Sequence, residues 1–308
     1  GTPKNKLFNL STQLHFFLPC LPCLPCPPCP SATEYFFTWK SLISMHHNPI
    51  SIQNLSYTYP DGTQALDKIN LSIKATERVA LIGANGSGKS TLLLHLNGIL
   101  MPQAGEVTIG EWSVNSENLR NIRNFVGLVF QNPDNQLFMP TVWEDVTFGP
   151  LNMGVQGEEL LQRTLQAMTA VDIDPQWYGQ RYTNNLSGGE KKRIAIAGVL
   201  AMNPQILVLD EPSAQLDPRS RRQFIELLQT LPLTQLIATH DLDLALDLCD
   251  RTVVLSQGQI VYDGPTEQIM SNPEFLHGHA LESPLSYSRP YCQLEHAPVK
   301  ASRYRELV

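Results

Sequence analysis

Three short segments in a fixed order constrain this chain more than anything else in it. GANGSGKST (Gly83 to Thr91) comes first, LSGGEKKR (Leu186 to Arg193) second and ILVLDEP (Ile206 to Pro212) third. The first matches the phosphate-loop pattern in full, Gly83-x4-Gly88-Lys89-Ser90. Its glycines let backbone N–H groups approach β- and γ-phosphates, and the start of a following helix adds positive potential. Lys89 supplies a mobile cation and Ser90 a hydroxyl ligand for magnesium. RVALIG (Arg78 to Gly83) reads as the buried strand before the loop, and Lys89 to Asn97 as the helix after it.

The third segment ends an apolar strand on two carboxylates. Asp210 is placed to hold magnesium, directly or through water. Glu211 is placed to orient or deprotonate an attacking water. A second apolar strand, Leu236 to Thr239, ends at His240 in a THD triplet, so His240 is the candidate donor to a γ-phosphate.

Alternation marks strands at Ile50 to Tyr57 and Leu66 to Ile73, with the turn Pro60-Asp61-Gly62 between them. Phe125 to Phe130 and Gln205 to Leu209 read as further buried strands, and Pro218 to Leu231 as a helix. Val253 to Leu255 and Gln259 to Tyr262 read as a hairpin around Gln257-Gly258. Residues 141–169 carry a helical period with Leu160, Leu161, Leu165 and Met168 on one side, broken at Pro150 and Gly154. Strands alternating with helices predict an α/β fold with a mostly parallel sheet covered on both faces.

The chain has 308 residues, 42% hydrophobic and 17% charged, which suits one large domain or two small ones. The net charge of -7 argues against nucleic acid as the main partner, since phosphate backbones call for a basic face. No run approaches the roughly 18 apolar residues that span a bilayer. Four of the six cysteines, Cys20, Cys23, Cys26 and Cys29, sit in LPCLPCLPCPPCP, and the rest of the chain is cysteine-poor, as a reducing compartment favours. The tract reads as low-complexity sequence; a zinc or iron–sulfur site feeding a metal importer is the competing reading. Residues 1–48 are expected to be an extension foreign to the rest. The first methionine is Met45, and residues 1–44 are expected to be translated upstream sequence or an over-extended gene assignment.

The phosphate loop, LSGGE, LDEP and the strand-end histidine together resemble the nucleotide-binding subunit of ABC transporters over residues of about 50 to 270. The resemblance implies a P-loop NTPase of RecA-like core, with an antiparallel β subdomain and an inserted α-helical subdomain at about 132–195. It places the ATPase domain at 49–271 and a C-terminal tail at 272–308. It implies ATP held by Gly83, Asn85, Gly86, Ser87, Gly88, Lys89, Ser90 and Thr91, with adenine stacked on Tyr59 or, as the alternative, Tyr57. Ser187, Gly188 and Gly189 would face the γ-phosphate on a second protomer, so that ATP closes a dimer. Gln131 resembles the Q-loop glutamine, which with Ser90 and Asp210 attends magnesium and the lytic water. Asp217 resembles the D-loop aspartate; the loop reads SAQLDP, with Gln215 where the family usually has glycine.

FQNPDNQLFMPTVWEDVTFGP (Phe130 to Pro150) is similar to the Q-loop region of cobalt/nickel and energy-coupling-factor importers, and YPDG and HALESPLS point the same way. That branch implies a cytoplasmic-face ATPase, a homodimer or a heterodimer with a related ATPase. Its partners would be an integral coupling subunit and a substrate-capture membrane subunit, its cargo a metal ion or a vitamin. Phe138, Val142, Trp143 and Phe148 are candidates for a coupling-helix groove, with subdomain core as the alternative for each. The competing function is an ABC ATPase working without a membrane partner, against which stand a single motif set and no heptad run. An importer of another solute class, such as amino acids or phosphate, is the further alternative.

Overall fold

The computed structural model describes residues 49–214 and 216–288. Its strands are β1 (Ile50–Thr58), β2 (Gln64–Ile73), β3 (Arg78–Ile82), β4 (Ala104–Ile109), β5 (Trp112–Ser113), β6 (Val126–Val129), β7 (Ile206–Asp210), β8 (Thr234–Ala238), β9 (Arg251–Ser256) and β10 (Gln259–Pro265). Its α-helices are α1 (Lys89–Leu96), α2 (Leu119–Phe125), α3 (Val142–Asn152), α4 (Gly157–Ala170), α5 (Pro175–Tyr178), α6 (Gly188–Ala201), α7 (Pro218–Thr230), α8 (Leu242–Leu248), α9 (Thr266–Met270), α10 (Pro273–Gly278) and α11 (Leu285–Ser288).

Two sheets form. β2–β1–β4–β5 is antiparallel throughout. β10–β9–β3–β8–β7–β6 is parallel except for the β9–β10 hairpin at its edge. The parallel strands carry unbroken apolar runs because helices cover both faces: all of β8 is buried, and four of five residues in β3 and β7. β1 instead alternates buried and open positions, with register shifts after Ile52 and after Leu55. One hydrophobic cluster joins β1 and β2 to β3, α1, β6 and the β7–β9 strands, so the two sheets share a core.

The helical segment α3 to α6 lies between β6 and β7, as the inserted subdomain requires. Two of its helices start on complete capping boxes, Thr141 with Glu144 on α3 and Ser187 with Glu190 on α6. Pro150 falls inside α3, near its end, rather than breaking it. The face of α4 differs from the expected one. Thr164, Ala167 and Met168 are buried, while Leu161 and Leu165 stand exposed. The buried stripe therefore sits one residue round from the leucine stripe.

The C-terminal boundary also moves. Leu276 and Leu281 are buried, and the backbone N–H groups of Leu285 and Ser286 donate to Asp243 on α8. Packing against the domain thus continues beyond residue 271, as far as the Leu285 and Ser286 contacts with Asp243. The Cys tract, the proposed extension at 1–48, Gln215 and Cys292 lie outside the described residues. Among the described residues no helix is long and apolar enough to cross a membrane.

Candidate functional site

Parallel strands all release their C-terminal ends at one edge of the sheet, and that is where ligands of such folds bind. β3 runs into the phosphate loop, β7 ends on Asp210, β8 delivers His240 two residues later, and β6 leads to Gln131.

The phosphate loop is shaped by backbone that a side chain would obstruct. A Cβ on Gly83 would lie 2.2 Å from the Leu255 carbonyl oxygen, and Gly88, at φ 108°, would place one 2.5 Å from the Ala65 oxygen. Lys89 is almost wholly buried and folds its ammonium back onto the loop, donating to the Gly83 and Ala84 carbonyls at 2.7 and 3.2 Å. Burial pushes its pKa down, opposed by Glu211 and Asp210. The Ser87 hydroxyl is buried and finds no hydrogen-bond partner among the described residues. A donor left over in a glycine-lined cradle, beside a cation, suits an incoming phosphate.

Ser90 hydrogen-bonds Asp210, so two hard oxygens of the kind magnesium takes stand side by side. Burial raises the Asp210 pKa; Ser90, Lys89 and Lys192 pull it down while Glu211 pushes it up. A carboxylate held at this cost is one a divalent cation would stabilise, and the donor set fits magnesium. Among the described residues no cluster of three or more His, Cys, Asp or Glu offers another metal site.

Glu211 adopts a left-handed backbone, φ 44°, which is costly for a side-chain-bearing residue and tends to be kept where function needs it. Its carboxylate accepts from His240 twice, from Nδ1 at 2.7 Å and from the backbone N–H at 3.2 Å. His240 itself is 65% exposed at its side chain while Glu211 is 9%. The carboxylate is thus inside and pinned, and the imidazole faces outward. Behind His240, Asp241 caps α8 through the Leu244 N–H and takes a two-pronged bond from Arg221 at 2.9 and 3.1 Å. Burial pushes the Asp241 carboxyl up, but the Arg221 bond and charge, the Leu244 N–H and the Ser213 hydroxyl together outweigh it and hold it below its usual range.

Tyr57 and Tyr59 separate clearly. Tyr57 is buried edge-on against His95 and Tyr59. Tyr59 is only partly buried, and its hydroxyl lies 3.0 Å from Thr91 Oγ1 at the end of the phosphate loop. Of the two rings, Tyr59 is the one with a face to offer.

Gln131 is exposed, and its loop is tied to α6 at three points. Lys192 donates to the carbonyls of Gln131 (2.7 Å) and Phe130 (3.2 Å), Lys191 meets Asp134 at 2.7 Å, and Gln136 donates to the Ala195 carbonyl. Ser187, Gly188 and Gly189 begin that same helix. Gly188 has open space where a side chain would be, and Gly189 faces Ser220 and Leu216 beside the Asp217 cap. Asp217 accepts from the backbone N–H groups of Arg219 and Ser220 and from the Ser220 hydroxyl. The hydrogen bonds of Ser187 and Asp217 close on their own helix starts.

Set beside known proteins, the match is close. A putative ABC transporter ATP-binding protein of Gloeobacter violaceus is 55% identical over 241 residues, 78% of this chain and 99% of that one. The chain belongs to the ABC transporter ATP-binding family. The ABC transporter family pattern itself matches residues 66–214 of this ABC ATPase. The energy-coupling factor transporter ATP-binding protein EcfA of Methanothermobacter thermautotrophicus is 46% identical over 240 residues, 76% of each chain. Among solved structures, cbiO1 from Clostridium perfringens, described as part of the ABC transporter complex cbiONQ, superposes with a TM-score of 0.68 at 38% identity, over 76% of this chain and 94% of that one.

The structure brings together the phosphate loop, Tyr59, Asp210, Glu211 and His240, and seats Ser187 to Gly189 on a separate helix start. It adds residues that motif reading passed over. Lys192 lies inside the LSGGEKKR text, where the motif gives it no role of its own. It is 2% exposed, and burial lowers its pKa to about 8 against the pull of Asp210 and Glu211. Arg221 and Tyr178 carry no sequence signal. Of the four apolar groove candidates, Val142 is fully buried and belongs to the subdomain core. Phe138 and Phe148 are exposed and meet edge to face at 4.7 Å, with Trp143 partly buried.

Proposed function

We propose that this ABC ATPase powers import of a metal ion such as cobalt or nickel, or of a vitamin, through a membrane partner complex. The observation that carries the reading is the segment from Gln131 to Phe148. It couples an exposed aromatic pair, Phe138 and Phe148, to a loop bolted onto the helix that begins with Ser187. A helix of a membrane subunit seated on Phe138 and Phe148 would press on Gln131 and α6 together. The likeness to EcfA and to cbiO1, whose descriptions name an energy-coupling factor transporter and the cbiONQ complex, supports this branch.

In the proposed reaction Gly83, Asn85, Gly86, Ser87, Gly88, Lys89, Ser90 and Thr91 hold the nucleotide phosphates, and Tyr59 stacks on adenine. Ser90, Asp210 and Gln131 would hold magnesium, which when bound offsets charge between the β- and γ-phosphates. Glu211 orients a water and takes its proton, and His240 keeps the carboxylate aimed and offers its outer edge to the γ-phosphate. Ser187, Gly188 and Gly189 meet that phosphate from a second protomer, and Asp217 lies at the same seam. Two copies of this chain, or this chain and a related ATPase, close on ATP and part after hydrolysis. The dimer works as a peripheral assembly at the cytoplasmic face of the membrane.

The test is to tag the protein, purify it from source-organism membranes in mild detergent and identify what accompanies it. A small integral coupling subunit together with a metal- or vitamin-capture membrane protein is the expected result. Recovery with no membrane partner would instead favour an ABC ATPase of another role.

A further inference from the structure

The Ser187 hydroxyl is already occupied. It donates to Glu190 Oε2 at 2.7 Å, and the Ser187 backbone N–H donates to the same oxygen at 2.7 Å. The other oxygen, Glu190 Oε1, takes a 2.7 Å bond from the Tyr178 hydroxyl, which comes from α5 rather than from the signature helix. One carboxylate therefore gathers three donors. Arg181 stacks 4.6 Å over the Tyr178 ring and steadies it. Burial pushes the Glu190 carboxyl up, but the Ser187 and Tyr178 bonds and the Arg181 charge outweigh this and hold it below its usual range.

A serine hydroxyl has one proton to donate. If Ser187 is to bond a γ-phosphate across the dimer, as the reading above holds, that proton must leave Glu190. The carboxylate then loses one of its three donors, while the N–H bond that keeps the first helical turn formed must survive. The Tyr178 hydroxyl is the donor that does not belong to the phosphate-facing turn. It stays on Glu190 in either state.

We propose that Tyr178 is a positioning residue for the signature serine. It holds Glu190 in place and satisfied, so that the Ser187 hydroxyl can pass from the helix cap to the partner's nucleotide without loosening the turn. This rests on the cross-dimer reading of Ser187 and makes a prediction that packing alone does not.

The experiment works in a Glu211→Gln background, where ATP persists. It reads the ATP–Mg-driven dimerisation constant by sedimentation and nucleotide affinity of the monomer, for Tyr178→Phe with Ser187 intact and with Ser187→Ala. Phenylalanine keeps the ring beneath Arg181, and a melting curve checks the fold. With Ser187 present, Tyr178→Phe should weaken dimerisation about 5-fold and leave monomer affinity unchanged, the loss of one hydrogen bond to a charged group that is partly open to water. With Ser187→Ala, the same change should cost less than about 2-fold, because no hydroxyl remains to be handed over. Equal losses in both backgrounds, or none in either, overturn the proposal. Ser187→Ala alone separates the two ideas. If it leaves dimerisation unchanged, the cross-dimer reading fails and takes Tyr178 with it. If it weakens dimerisation while Tyr178→Phe does not, only the role of Tyr178 falls.

Discussion

Glu211→Gln is expected to lower steady-state ATP turnover about 1000-fold while ATP affinity stays within about 2-fold of wild type. The size follows from what the amide removes. Glutamine keeps the volume, the left-handed backbone at residue 211 and one oxygen for the His240 N–H, but it cannot take a proton from water. The proposed binding groups are elsewhere, on the phosphate loop, so affinity has no reason to fall. Phosphate release and a fluorescent-nucleotide titration on the same preparation check both halves. Residual turnover above about a tenth of wild type would mean that Glu211 is not the base.

Lys89→Ala should act the other way round, on binding itself. The ammonium is held at the loop by the Gly83 and Ala84 carbonyls, and its charge lies between a phosphate cradle and the paired carboxylates Asp210 and Glu211. Alanine removes the cation that the loop itself offers to the phosphates. It also leaves the two carboxylates facing an incoming anion with less compensation. A loss of about 100-fold in ATP affinity is expected, the scale of a charge-assisted contact in a partly desolvated site. Isothermal titration on the purified chain reads it directly. An affinity within about 3-fold of wild type would show that backbone N–H groups alone hold the phosphates.

The edge of the parallel sheet that carries the candidate site was legible because its signals are local. A buried parallel strand writes itself as an unbroken apolar run, and the turn that follows must expose its chemistry, so Gly83, Asp210 and His240 could each be placed at a strand end. What escaped is decided by contacts between distant segments. The period of α4 marks a helix, but which side is covered depends on what α6 offers, and Leu161 and Leu165 were left outside. Tyr57 lies near the end of β1 and Tyr59 just past it, two residues on, and alternation cannot say which lies deeper. Only the packing of His95 settles Tyr57 into the core. The burial of Lys192 escapes the sequence because nothing nearby reveals the carbonyls, 61 and 62 residues back, that receive it. The packing from Pro273 to Ser286 was missed because its helices are short and their anchors, such as Asp243, lie some 40 residues earlier.

In the proposed cycle two chains close over ATP through the α6 helix start. The most direct measurement is the mass of the Glu211→Gln protein in solution, by sedimentation, with ATP–Mg and with ADP–Mg, alone and combined with Ser187→Arg. Closure of two chains predicts a doubling of mass with ATP and not with ADP. Ser187→Arg is then expected to abolish the doubling while the monomer binds ATP as before, since a long side chain would fill the open space in front of Gly188. A mass that ignores ATP in the first protein, or a dimer that survives the arginine, would contradict it.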